Sequence, residues 1–194
     1  MKKISLILSI FFLIGCDYGG QIYAYIAYYA DDWLSFTPQG QISYCKEHPN
    51  DMFCSTKPTI GDIQPTYEQT MNVVYTLSKN FDYKTDPVPE TWHYNQTVYE
   101  HLDGDCEDVA MTLISHLINE EAVDSKYLVM VYRLTSLNSA HMFVAVNTVD
   151  KGWIHIDYAN SGQPLEQKIN WHMLMTDVGT TKWIKGNITL NQSD

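Results

Sequence analysis

Residues 101–121, HLDGDCEDVAMTLISHLINEE, constrain the fold of this chain more than any other stretch. Val109, Ala110, Leu113, Ile114, Leu117 and Ile118 recur at three- and four-residue spacing and form one apolar stripe, which predicts a helix that buries a face. Asp103 or Asp105 can cap its start, and the neighbouring acids favour the positive end of its dipole. Cys106 therefore falls in the first turn, among Asp103, Asp105, Glu107 and Asp108. Close carboxylates disfavour a thiolate, the form of cysteine that reacts, so the acidic setting of this thiol needs an explanation.

The rest of the chain supplies what such a helix can pack on. Tyr67, Met71, Val74, Leu77 and Ser78 predict a helix from Pro65 to about Asn80, ended by the proline-containing DYKTDPVPE. KYLVMVYRL (126–134), AHMFVAVNTV (140–149) and GWIHIDYA (152–159) read as strands, and TTKWIKGNITL near the C-terminus as another. NTVDKG carries turn chemistry, so the strands at 140–149 and 152–159 are expected as an antiparallel hairpin. The fold class expected is α+β, with the cysteine-bearing helix packed on an antiparallel sheet.

That hairpin brings a histidine and an acid together. His141 opens its first strand and Asp157 nearly closes its second, with Val149 midway between them in the predicted turn. Residues facing each other across a ladder share a side, so pairing centred on one residue requires an odd loop and puts both side chains on one face. His116 lies ten residues after Cys106 on the same helix, about 15 Å away by helix rise, too far to be its base. A cysteine at a helix start, a histidine and an orienting carboxylate are the apparatus of acyl transfer.

The N-terminus, MKKISLILSIFFLIGC, has two lysines and an apolar run from Ile4 to Ile14 that is short for a membrane span and laid out like a secretory leader. Leu13, Ile14, Gly15 and Cys16 resemble a bacterial lipobox with Cys16 as the lipidated residue; an ordinary leader with a chance cysteine is the alternative. Asp17 resembles the signal that retains lipoproteins at the inner membrane. Loss of residues 1–15 removes two lysines and no acid, taking the net charge from −11 to −13, which excludes electrostatic attraction to nucleic acid. The tyrosine-rich segment after Cys16 has loose helical spacing, and residues 37–64 are rich in turn formers. Cys45 and Cys54 are close enough in that segment to form a small disulfide loop, leaving Cys106 as a thiol; a bridge from Cys106 to either is the alternative.

GDCEDVA, then SAHMFVAV with its histidine 35 residues after the cysteine, then HIDY with its Asp 16 further on, resemble the bacterial transglutaminase-like cysteine proteinases, the LapG-like periplasmic family. The resemblance covers about residues 65–160 and implies a transglutaminase-like, papain-like core. It makes Cys106 the nucleophile, His141 the general base and then acid, and Asp157 the orienting carboxylate. It lends the oxyanion the Cys106 backbone N–H and makes Trp92 a second oxyanion candidate, against a plain role as a core aromatic. It also implies Ca²⁺ held by Asp105, Glu107 and Asp108, with Asp103 a weaker candidate, where the alternative is that these acids only cap the helix. Asn95 and Tyr158 depart from the pattern, where proline and asparagine are usual.

The organisation expected is a leader at 1–15, a lipid-anchored tether and variable segment at 16–64, and the proteinase domain at 65–194. The function expected is a periplasm-facing, membrane-anchored cysteine endopeptidase acting on an envelope protein, with room for a regulatory membrane protein. An acyltransferase or amidase on the same fold and a non-catalytic envelope-binding lipoprotein are the competing readings.

Overall fold

The computed structural model describes residues 10–13, 24–26, 38–55, 61–86, 90–134, 140–157, 173–177 and 184–186. Cys16 and the ends of the leader lie outside them. Of the N-terminal region, strands β1 (Ile10–Leu13) and β2 (Ala24–Ile26) pair antiparallel, so the part of the tyrosine-rich segment described is extended and not helical.

Helix α1 (Gln39–Glu47) was not legible in the turn-rich segment, because its residues carry no apolar stripe. It is joined to the following loop by the Cys45–Cys54 disulfide. That loop docks through buried Phe53, which packs edge-on against Tyr94, and through Asp51, which accepts the Tyr94 hydroxyl at 2.7 Å. Helix α2 (Tyr67–Lys79) forms where the periodicity puts it, and Thr66 and Gln69 cap its start reciprocally. Strands β3 (Phe81–Tyr83) and β4 (Leu102–Gly104) then pair in parallel, and β4 delivers the chain to Asp105.

Helix α3 (Cys106–Asn119) is buried on every side, beyond the single stripe its apolar residues mark. Its polar residues are used. Asp108 Oδ1 accepts the His93 N–H at 2.9 Å, Thr112 Oγ1 the Asn95 N–H at 3.1 Å and His116 Nδ1 the Val98 N–H at 3.4 Å, while Ser115 Oγ donates to the Gln96 carbonyl. Positions four apart on one helix face thus satisfy the backbone of an irregular segment, 93–98, that joins no described strand.

The main sheet has strands β5 (Leu128–Leu134), β6 (Ala140–Thr148), β7 (Gly152–Ile156), β8 (Met173–Asp177) and β9 (Ile184–Gly186) in the order β7-β6-β5-β8-β9, all antiparallel. Met130, Tyr132, Met142, Val144, Val146, Ile154 and Ile156 face α3 and close the main core. Val131, Phe143 and Ala145 form a second cluster on the other face. The β6–β7 turn is fastened to the start of α2: Val149 N–H donates to the Pro65 carbonyl at 2.9 Å and Tyr67 N–H to Asp150 Oδ1 at 2.8 Å.

Candidate active site

The β6–β7 ladder pairs Thr148 with Gly152 and Val144 with Ile156, so the loop is residues 149–151 and its centre is Asp150, one residue beyond the expected Val149. Gly152 has φ +66°, a conformation that glycine takes at little steric cost. Because the loop is odd, the shift moves Asp157 along the ladder without turning it over: it falls opposite Phe143 and diagonal to His141, on the same face. His141 Nε2 and Asp157 Oδ2 are 2.8 Å apart. Asp157 is buried and the His141 side chain is 26% exposed, so a fixed acid holds a ring that solvent or a ligand can reach. With Nε2 turned to the carboxylate, Nδ1 is the nitrogen that can exchange a proton elsewhere. His155 Nε2 is 3.7 Å from the same carboxylate oxygen, and its ring packs on Phe143 at 4.2 Å.

Cys106 is the first residue of α3, where Asp105 is the N-cap and its N–H donates to Asp108 Oδ2 at 3.2 Å. The Cys106 sulfur accepts the Met142 N–H at 3.3 Å and lies 3.4 Å from Glu107 Oε2. It therefore meets the backbone of β6 one residue from His141. Strand alternation puts α3 on the Met142 face of the sheet and the imidazole on the Phe143 face. The sulfur reaches the strand backbone itself, between the two. The expected Cys45–Cys54 disulfide is present; the fourth cysteine, Cys16, lies outside the described residues.

The acids divide into separate groups. Asp105, Cys106 and Glu107 bring candidate ligand atoms within 4.8 Å of one another, whereas Asp108 groups with Asp86 and His93. Asp108 thus serves backbone amides and the His93 ring, 3.3 Å away, and does not join one calcium set with Asp105 and Glu107. Asp103 is half-buried on the Lys84 side and groups instead with Asp82 and His101. Burial, with the charge of Asp86 added, pushes Asp105 up from the usual aspartate range. Burial also raises Glu107 well above its ordinary value, reinforced by its hydrogen bond to Asp105 and by that group's charge. Burial raises Asp108 to about 7 against the lowering effect of its hydrogen bond to the His93 amide.

Asp105 Oδ1 is buried without a hydrogen-bond partner. An unmet buried carboxylate oxygen beside a second buried carboxylate suits a hard cation with oxygen ligands, so Asp105 and Glu107 fit such an ion. Trp92 is a core residue whose indole N–H donates to Glu90 Oε1 at 2.7 Å, which commits the donor that an oxyanion would need. Glu90 itself was missed: a single acid two residues before a tryptophan carries no pattern that distinguishes it from any other.

A sequence profile of the transglutaminase-like superfamily matches residues 55–158, an interval that holds Cys106, His141 and Asp157. No curated protein matches the chain. Similar solved structures include EGTA-treated Legionella pneumophila LapG, 21% identical, with 63% of this chain and 69% of that one covered and a TM-score of 0.49. Calcium-bound LapG from the same organism is 20% identical over 66% of this chain and 81% of that one, with a TM-score of 0.41.

Proposed function

Because the chain belongs to the transglutaminase-like superfamily, we propose that it is a cysteine peptidase cutting a polypeptide through a covalent acyl-enzyme, with Cys106 as nucleophile, His141 as base and then acid, and Asp157 as the orienting carboxylate. The observation that carries this reading is the contact of His141 with buried Asp157, one residue from the amide that holds the Cys106 sulfur. The reacting form is the reduced one. Lipid attachment to Cys16 would consume that sulfur as a thioether and, with Cys45 and Cys54 bonded, leave Cys106 as the reduced thiol.

In that form the thiol proton passes to His141 Nδ1 and the sulfur attacks the substrate carbonyl. The oxyanion forms at the N-terminus of α3, where the Cys106 backbone N–H and the helix dipole stabilise it. His141 then protonates the leaving amine and activates the water that releases the acyl group, while Asp157 keeps the ring in the productive tautomer. Asp105 and Glu107 would hold a calcium ion, which supplies positive charge beside the thiolate. The apolar leader and Cys16 support export and lipid anchoring at the periplasmic face of the inner membrane, with an envelope protein as substrate and a membrane protein as regulator.

The test is expression of the intact protein and of Cys106→Ala, with mass spectrometry of envelope proteins shed or shortened. Purified reduced protein is treated in parallel with a peptidyl thiol-directed reagent. Fragments and labelling that depend on Cys106 support the peptidase. Labelling with transfer to an added fluorescent amine and no cleavage assigns an acyltransferase. A reduced wild-type protein that neither labels nor cleaves refutes both and leaves a binding lipoprotein.

A further inference from the structure

We propose that Asp105, Cys106 and Glu107 together take a thiophilic divalent cation of the Zn²⁺ class, which binds the nucleophilic sulfur and switches the site off. The inference rests on the reading of Asp105 and Glu107 as cation ligands and of Cys106 as nucleophile, and it adds the sulfur as a ligand.

The three residues are consecutive at the start of α3, and all are buried. Each offers one ligand atom, an oxygen, a sulfur and an oxygen, and these lie within 4.8 Å of one another. The Cys106 sulfur is 3.4 Å from Glu107 Oε2. A tetrahedral zinc with sulfur at ~2.3 Å and a carboxylate oxygen at ~2.0 Å sets those two atoms roughly 3.5 Å apart, so this pair already has the spacing of one edge. Asp105 Oδ1 has no hydrogen-bond partner although Asp105 is only 2% exposed, and a buried oxygen left unmet is costly unless a ligand takes it. Asp105 also forms no salt bridge with a described lysine, arginine or histidine.

The sulfur decides which ion belongs in this set. Calcium is a hard cation that takes oxygens and leaves a thiol alone, whereas a thiolate favours zinc and its neighbours. The Met142 N–H donates to the sulfur at 3.3 Å, a contact of the kind that orients a metal-bound ligand from behind. Three protein ligands leave the fourth tetrahedral position to water. On binding, the thiol proton leaves to solvent and the sulfur lone pair goes to the metal, so the sulfur no longer attacks a carbonyl. The two ions thus compete for Asp105 and Glu107 with opposite results: calcium leaves the nucleophile available, and zinc occupies it.

The experiment uses the full mature chain carrying Cys16→Ser, so that Cys106 is the one thiol beside the intact Cys45–Cys54 disulfide. Co²⁺ serves as the spectroscopic probe and Zn²⁺ as its competitor, with circular dichroism to confirm folding. Co²⁺ is expected to give a thiolate-to-metal charge-transfer band in the near ultraviolet that Cys106→Ser abolishes. Zn²⁺ should displace the cobalt and slow alkylation of Cys106 by about tenfold or more, and Ca²⁺ should not slow it. Asp105→Asn should weaken zinc binding by about tenfold or more, with Glu107→Gln read in its place if that variant does not fold. His101→Asn, in the separate surface group with Asp82 and Asp103, should leave the band unchanged. Absence of the band, or zinc affinity unchanged in both carboxylate variants, overturns the inference. Calcium titration calorimetry on Cys106→Ser keeps the two readings apart: calcium binding retained there leaves the two-carboxylate calcium site standing when the zinc inference falls, and its absence removes both.

Discussion

Raising the pH of the cation-free protein should destabilise it, and Asp108 sets the scale. Burial raises its pKa from 3.8 to about 7. A carboxyl whose folded pKa lies above its unfolded value is held protonated by the fold. Its stabilising contribution is whole below pH 4 and is lost as the pH rises through 7. Integrating that linkage from pH 5 to pH 8 gives a loss of about 3 kcal/mol from Asp108 alone. Asp105, Glu107 and Glu90 are raised in the same direction, and His93, lowered by its own burial but raised overall by Asp108, adds to the loss once the pH passes its ordinary value. His116, lowered by burial, works oppositely and subtracts stability on the acid side. The net negative charge also favours expansion at high pH, so the comparison needs Asp108→Asn, which removes the local contribution and leaves the global one nearly unchanged. Urea midpoints at pH 5 and pH 8 in chelator, at constant m-value, measure both proteins. Wild type should lose several kcal/mol over that interval and the variant about 3 kcal/mol less, and calcium at a hundredfold its Kd should return about 2.7 kcal/mol at pH 8. Equal pH slopes for the two proteins would refute the reasoning, because the buried Asp108 carboxylate would then be charged and compensated throughout.

Asp157→Asn should slow labelling of reduced Cys106 by about 10³–10⁴-fold while the urea midpoint stays close to wild type, since the amide no longer enforces the His141 tautomer. Gly40→Ala should cost roughly 1–3 kcal/mol in urea unfolding, because the new Cβ would overlap the Trp92 ring. Thr66→Ala should cost about 1 kcal/mol by removing the α2 cap and leave the labelling rate of Cys106 unchanged, which separates global stability from the site.

Helix α3, helix α2 and the β6–β7 hairpin were legible because each depends on a period written in neighbouring residues. The common face of His141 and Asp157 was legible for the same reason: strand parity survives a register shift of one, provided that the loop stays odd. The register itself was not, since the turn centre depends on Pro65 and Tyr67 fastening residues 149–150 from a distant part of the chain. Nor was the parallel β3–β4 pair, whose three-residue strands are too short to show a pattern.

The sequence by itself determined the elements that hold the three proposed catalytic side chains: Cys106 at a helix start among acids, His141 and Asp157 on one strand face. Tertiary structure decided what those residues meet. It put α3 on the opposite face of the sheet from His141 and brought the sulfur to the Met142 amide. It turned Asp108 to the backbone amide of His93 and brought Glu90 to the Trp92 indole. The physical reason is that periodicity and capping are local properties of consecutive residues. The division of nearby carboxylates between backbone amides, an indole and one another depends on which partners burial brings within reach.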